Sequence, residues 1–369
     1  MSFDIAIIGA GIAGASLAWA LGRQSEGRLR VALVEMESAP GYHTTGRSAA
    51  FWVESYGGPG IVPLSRASRG FFESPPPGFT AGPLLSPRGG LNIAPPDDNG
   101  ALDALAAEFD QGRTPYERLE AAGLEIYPIL KTEWRTRALY EADAYDIDVA
   151  ALHQGYLRGS SGWKPTLITD AEVSTVSRDD EGWTLTTRAG PVTATTIVNA
   201  AGAWADGLAA MAGAQPRGLT PLRRTMAVLN IDPPPPADLP VVFDAGGRFY
   251  FKPDGGRLWL SPHDETPDVP HDVRPDEYDL AVVIDQFEQA STARIVRLES
   301  SWAGLRTFAP DRLPVFGWDG AVDGLFWCAG QGGFGIQTAP AASQLCAALL
   351  LGQAPDVDPT PYLATRFAA

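Results

Sequence analysis

Residues 5–22 carry no charge and are punctuated by Gly9, Gly11 and Gly14. The apolar run ending at Ile8 predicts a short buried strand, and the spacing of Ala15, Leu17, Ala18 and Leu21 predicts a helix. A second apolar run, Val31-Ala32-Leu33-Val34, predicts another buried strand that ends at Glu35. Asp4 precedes the first run where a signal peptide would carry basic residues, and the glycines interrupt it, so neither a leader nor a membrane span is expected.

Farther along, residues 41–58 are polar and predict a loop leading into a short helix, which Pro75-Pro76-Pro77-Gly78 then stops. Residues 99–124 predict an amphipathic helix broken near Gly112. Trp183, Leu185 and Thr187 alternate between two turns and predict a small antiparallel ribbon, followed by a buried strand over 197–202. From Pro221 the pattern changes to strands, at 224–231 and 241–243. A hairpin follows in which Phe249-Tyr250-Phe251-Lys252 and Arg257-Leu258-Trp259-Leu260 flank Pro253-Asp254-Gly255-Gly256. Residues 263–277 predict an acidic loop, 280–297 a helix, 325–329 a buried strand and 340–351 a small-residue helix.

This order implies a discontinuous α/β plus α+β fold. A Rossmann-like nucleotide-binding domain is expected from residues 1–83, 145–210 and 306–369, and a substrate domain with a mixed or antiparallel sheet from 84–144 and 211–305. The chain of 369 residues is long enough for two domains. Its 28 basic and 44 acidic side chains give a net charge of −16, which argues against nucleic-acid binding. Cys328 and Cys346 are too few for a disulfide framework, and with four histidines they give no metal-site spacing, so no metal and a cytoplasmic location are expected.

The chemistry starts at Gly9-Ala10-Gly11-Ile12-Ala13-Gly14, set between strand and helix as a dinucleotide fingerprint requires. Gly9 permits the tight turn, Gly11 lets a pyrophosphate approach the backbone, and Gly14 lets helix and strand pack closely. Amide N–H groups at the helix start then face the phosphates, and Glu35 is placed to accept from a ribose hydroxyl. These residues leave NAD and FAD open.

Three further segments carry a resemblance: Gly41-Tyr42-His43-Thr44-Thr45-Gly46-Arg47-Ser48-Ala49-Ala50, Asn199-Ala200-Ala201-Gly202-Ala203-Trp204 and Gly330-Gln331-Gly332-Gly333-Phe334-Gly335-Ile336-Gln337. With them the chain resembles the D-amino-acid oxidase superfamily of flavoproteins. Within it, Leu152-His153-Gln154-Gly155-Tyr156-Leu157-Arg158 and Ser301-Trp302-Ala303-Gly304-Leu305-Arg306 resemble the bacterial D-arginine dehydrogenases.

The resemblance implies FAD and oxidative deamination of a D-amino acid, with hydride passing from the α carbon to flavin N5. Oxygen or a quinone would be the electron acceptor. Arg47, Ser48, Gly202, Gly330, Gly332, Gly335, Ile336 and Gln337 would lie near the cofactor. Arg306 would pair with the substrate carboxylate, with Arg223 or its neighbour Arg224 as partner. Tyr56 and Tyr250 would line the pocket, and Gly333, Ile336 and Gln337 the substrate side of the flavin. Thr307 and Phe308 stand where some relatives carry a flavin-linked cysteine, which implies noncovalent FAD.

Two positions depart from the D-arginine dehydrogenase pattern. Phe51 stands where that enzyme has an active-site histidine, and Gly90 where it has an acidic residue. A cationic side chain would therefore lack a counterion, and a neutral or apolar D-amino acid is expected. A glycine- or sarcosine-type oxidase, an N-dealkylating oxidase of a secondary amine, and a flavin-binding protein without turnover stand as alternatives.

Overall fold

In the computed structural model, which describes residues 2–95, 97–160 and 162–367, the uncharged runs pair with one another. Strand Ser2–Ile8 lies between Val31–Val34 and Gly190–Asn199, parallel to both. Leu325–Ala329 joins Gly190–Asn199 in parallel, and Thr166–Ile168 extends the other edge. Strands buried on both faces need no alternation, which is why these stretches read as continuous apolar runs. The antiparallel ribbon of Val173–Asp179 and Gly182–Thr187 continues from Gly190–Asn199. Helices Ile12–Gln24 and Gly335–Leu350 pack on this sheet through one core that includes Leu17, Trp19, Leu21, Leu345 and Cys346.

The second sheet has nine strands and is built around one long antiparallel pair. Thr220–Asp232 runs against Arg294–Phe308, with Leu222 opposite Arg306, Arg224 opposite Gly304 and Met226 opposite Trp302. Alternation then sorts the side chains. Leu222, Arg224 and Met226 share a face with Arg306, and Arg223 and Thr225 occupy the other. On the first face Met226, Val241, Phe243 and Tyr250 pack against Phe51 and Val53. On the second, Ala227, Leu229 and Phe251 pack under helix Glu277–Ala290 through Val283 and Phe287. The fold is therefore the expected α/β plus α+β combination of a discontinuous Rossmann-like sheet and a mixed sheet.

Some expected elements differ. The predicted helix over 280–297 ends at Ala290, and Arg294 opens a fifteen-residue strand. Charges at Arg294, Arg297 and Glu299 suit an exposed sheet edge, and pairing with Thr220–Asp232 outweighs local helical periodicity. Helix Asn99–Gly112 stops at the expected break, but Glu117–Glu120 is a strand on Arg137–Glu141. The polar 41–58 segment contains strand Phe51–Val53, and the last helix begins at Gly335, ahead of Pro340. Among the described residues no helix is long and apolar enough to cross a membrane, and no cluster of side chains could hold a metal ion.

Two glycines test the packing. A Cβ on Gly14 would lie 1.9 Å from the Gly9 carbonyl oxygen, whereas one on helical Gly70 would meet nothing. Gly14→Ala should destabilise by at least about 1–3 kcal/mol, because backbone must move. Gly70→Ala should be neutral or stabilising by up to about 1 kcal/mol. Thermal unfolding of both variants checks this; equal melting temperatures would refute the close helix–strand contact.

Candidate active site

The Gly9 turn opens onto a long cleft. Gly9 takes φ +105° and sits under the Ala200 carbonyl, and Gly11 is followed by a helix start without a side-chain cap. Thr45 reaches across from the 41–50 loop, its Oγ1 accepting from Ile12 N at 2.9 Å. Buried Glu35 accepts from Ala10 N at 2.9 Å and from Glu37 N at 3.1 Å. The His153 ring donates through Nε2 to the Ala10 carbonyl at 2.8 Å; burial lowers its pKa, so it serves this turn as a neutral ring.

Gly9, Gly11, Glu35, Arg47, Ser48, Gly202, Gly330, Gly332, Gly333, Gly335 and Ile336 all line the cleft, as do Arg224, Arg306 and Thr307. Gly14 lies behind the wall, packed on Gly9. Gly332 is fixed by packing against the Phe308 ring and by donating to the Thr307 carbonyl at 2.9 Å.

The cleft wall and the second sheet are stitched together by the 41–50 loop. Thr44 Oγ1 donates to the Leu305 carbonyl at 2.6 Å, Arg47 Nη1 donates to the Ala303 carbonyl at 2.8 Å, and Trp302 Nε1 donates to the Arg47 carbonyl at 3.2 Å. Arg47 also pairs with Asp272 and donates to the Val273 carbonyl, so it anchors the 263–277 segment beside the cleft.

Arg306 emerges from this stitched strand. Its Nη1 donates to Tyr56 Oη at 2.8 Å and its Nη2 to Tyr250 Oη at 3.5 Å. A Cβ on Gly333 would come within 2.9 Å of Arg306 Nη1 and 3.4 Å of Tyr56 Oη, so this glycine lets the guanidinium and the phenol lie against its backbone.

The adjacent arginines part company. Arg223 lies on the helix-facing side of the sheet, its Nη2 donating to Asp279 at 2.8 Å, and it does not line the cleft. Arg224 does line it. Gln337 is buried away from the cleft. Its Nε2 donates to Ser65 Oγ at 2.7 Å and to the Val53 and Tyr56 carbonyls, and its Oε1 accepts from Val53 N, so it braces the turn that carries Tyr56.

Comparison with known proteins fits this geometry. Residues 4–349 match the family model described as "FAD dependent oxidoreductase" (DAO). The chain belongs to this family. The glycine oxidase of Geobacillus kaustophilus is 26% identical to this oxidoreductase over 99% of this chain and 97% of its own. A crystal structure of glycine oxidase from the same species superposes with a TM-score of 0.83, at 25% identity and 99% coverage of both chains. Hydrogen cyanide synthase subunit HcnC of Pseudomonas aeruginosa is 25% identical over 99% of this chain and 96% of its own.

The oxidoreductase's cleft suits FAD. The helix start lies at the cleft wall with the Ile12 N–H taken by Thr45, so the amides around it can face a pyrophosphate, Glu35 stands one strand away for a ribose, and glycines at 202, 330 and 333 leave the wall without side chains.

Around Arg306 stand Tyr56 and Tyr250, with Phe51 behind them, all singled out by the sequence, and His263, which was not. Phe51 makes edge contacts with Tyr56, Phe243 and Tyr250 at centroid distances of 5.3, 5.5 and 5.8 Å, so the ring wall is closely filled. His263 packs against Tyr250; burial, reinforced by the Arg224 and Arg306 charges, pushes its pKa down to about 3 and keeps it neutral. Burial raises the Tyr56 phenol, but the neighbouring charges of Arg306 and Arg224 outweigh it and hold its pKa below the ordinary value.

Gly90 lies outside the cleft, paired across the sheet with buried Glu141. Ser55 Oγ donates to Glu141 Oε1 at 2.8 Å and Asn92 Nδ2 at 3.4 Å. Thr45 lies within the 41–50 segment without a role that spacing assigns, and Glu141 belongs to no recognisable motif; tertiary contact gives each its role.

Burial lifts the Glu141 carboxyl from 4.5 to about 7, against the hydrogen bonds of Ser55 and Asn92. Below the unfolded value both states hold the proton. As pH rises from there through about 7, the unfolded chain releases it first, so stability falls. The loss should be on the order of 3 kcal/mol. Urea unfolding of the wild type between pH 4.5 and 7.5 should show it, and Glu141→Gln should remove it. Identical pH slopes in the two proteins would exclude a buried, neutral Glu141.

Proposed function

We propose that this flavoenzyme oxidises the amine of a small amino acid or N-substituted glycine, in the manner of glycine and sarcosine oxidases. The observation that carries this reading is the Arg306 guanidinium in the cleft lining, held by two phenols and lying close against the Gly333 backbone. A guanidinium offers a planar fork of donors that matches a carboxylate. Clamping that carboxylate leaves the α carbon and nitrogen to face the cofactor side of the cleft.

FAD, when bound, would supply the two-electron acceptor for the hydride that leaves the α carbon as the C=N bond forms, the proton on nitrogen being lost to solvent. The chain's own groups orient and exclude water: Arg306 and Tyr56 hold the acid group, and Tyr250 and Phe51 close the apolar side. The imine product takes up water to give an oxo acid and an amine.

Relatives named glycine oxidase, and not the likeness to D-arginine dehydrogenase, support the choice of substrate size. The rings of Phe51, Tyr56, Phe243 and Tyr250 pack on one another behind the cleft lining, so a long side chain could enter there only by displacing them. Gly90 supplies no carboxylate for a cationic side chain, and neighbouring Glu141 is held neutral up to about pH 7. This narrows the earlier expectation of any neutral or apolar D-amino acid. FAD would be held without a covalent bond: Thr307 lines the cleft, and Cys328 is buried in its own strand.

Anaerobic mixing with glycine, sarcosine, D-alanine, D-leucine and D-arginine tests the reading. The small substrates should bleach the flavin fastest; preference for D-leucine or D-arginine would overturn it. Oxygen uptake against reduction of an artificial acceptor then separates oxidase from dehydrogenase.

Arg306→Ala should lower kcat/KM for carboxylate-bearing amines roughly 10- to 100-fold while the purified protein keeps its flavin. Unchanged kinetics would remove Arg306 from the site. Acid denaturation followed by filtration should release all yellow colour from the polypeptide; colour retained on the chain would refute noncovalent binding.

A further inference from the structure

We propose that Arg224 is a second anion-binding point beside Arg306, and that the preferred substrate is an amine carrying two carboxylates. This rests on the amine-oxidation reading above and adds to it the charge of the substrate.

Register places the two arginines together. Leu222 faces Arg306 and Arg224 faces Gly304 across the same antiparallel pair, so the guanidinia stand on one sheet face at diagonal positions. Gly304 contributes no side chain between them, and both arginines line the same cleft.

The donors of Arg224 are incompletely used. Nε donates to the Asp264 carbonyl at 2.8 Å and Nη2 to Glu265 Oε1 at 3.1 Å. Nη1 has no hydrogen-bond partner although the side chain is only 5% exposed. A buried, charged donor left without an acceptor is unfavourable, and a bound anion would satisfy it.

The nearby acids cancel the pair only in part. Asp264 lies 3.9 Å and Glu265 3.1 Å from Arg224, but Asp264 also accepts from Thr225 N at 2.6 Å and Thr225 Oγ1 at 2.9 Å and faces Arg223 at 3.6 Å, and Glu265 is shared with Arg312 at 2.8 Å. Arg306 has phenols as partners and no carboxylate. The lowered Tyr56 and His263 pKa values both carry contributions from Arg224 and Arg306, so each neighbour registers the same surplus of positive charge. One substrate carboxylate at Arg306 answers half of it. The ring wall closes the apolar side, which leaves the Arg224 side for the second acid group.

Two non-reacting ligands isolate the charge from the chemistry. Thiodiacetate carries two carboxylates and (methylthio)acetate carries one, and each is titrated into the FAD-loaded wild type by its perturbation of the flavin spectrum. Thiodiacetate should bind at least tenfold more tightly, and Arg224→Gln should erase most of that advantage while flavin content and melting temperature report folding. Equal affinities in the wild type overturn the proposal whatever the variant does. So does an Arg224→Gln effect of the same size on both ligands, which would mean that both arginines share one carboxylate.

Turnover of iminodiacetate, D-aspartate and glycine then locates the second acid group, on nitrogen or on the α carbon. Preference for either dicarboxylate supports the proposal, and preference for glycine overturns it. If no amine reduces the flavin while thiodiacetate still binds tightly, the amine-oxidation reading fails and the anion site stands.

Discussion

A permanent cation set among aromatic rings, with phenol oxygens where a carboxylate would ordinarily stand, organises the part of the cleft around Arg306. Arg306 cannot discharge itself by losing a proton, since its neighbours Tyr56 and Tyr250 raise an already high pKa against the effect of burial. The fold must hold the charge in place from several directions. Gln337 braces the turn under Tyr56, Gly333 withholds a side chain from the guanidinium, and the strand that carries Arg306 is tied through Ala303 and Leu305 to the 41–50 loop. That loop in turn places Thr45 on the first turn of the nucleotide helix. Clamp and cofactor cleft are thus one mechanical unit: a shift of Arg294–Phe308 would move both ends of the reaction path together.

The nucleotide half was legible because its constraints are local. Gly9 needs its positive φ and Gly14 its missing Cβ for reasons that lie within a dozen residues, and the apolar strands announce themselves by continuity. The other half was less legible because its constraints are pairings. Which of Arg223 and Arg224 meets the cleft depends on the register of Thr220–Asp232 against Arg294–Phe308, and a slip of one residue exchanges the faces. The same pairing converted the end of a predicted helix into strand. Gln337 sits in a flavin-like motif yet works as a brace, a distinction that no spacing rule contains.

The positions that depart from the D-arginine dehydrogenase pattern make sense as a set. Gly90 adds no carboxyl to the sheet beside buried Glu141, and Phe51 adds no imidazole to the ring cluster around Tyr56 and Tyr250. Phe51 instead makes edge contacts with three rings, each worth roughly 0.5–1.5 kcal/mol beyond simple burial. The remaining acid nearby, Glu141, is turned to Ser55 and Asn92 and serves the turn beside Tyr56 instead of a ligand cation. A wall with no counterion and little room discriminates against long cationic side chains twice over, once by desolvation and once by packing.

Charge at two length scales completes the argument. The chain as a whole carries −16, which would repel an anionic substrate at long range. At physiological ionic strength exposed charges are screened beyond about 8 Å, so the distant surplus counts for little once a ligand has entered the cleft. There the balance reverses, because the guanidinia in its lining are buried and poorly screened, while their nearest acids are shared with Thr225, Arg312 and the helix-facing Arg223. The Asp264 carboxylate illustrates the economy of this arrangement: its hydrogen bonds fix the strand through Thr225, and while its main-chain oxygen accepts from Arg224 at 2.8 Å its carboxylate stands off at 3.9 Å. A fold that spent its acids on neutralising the cleft would gain stability and lose the seat; this one keeps its acids on the strand and leaves the positive potential for a ligand to meet.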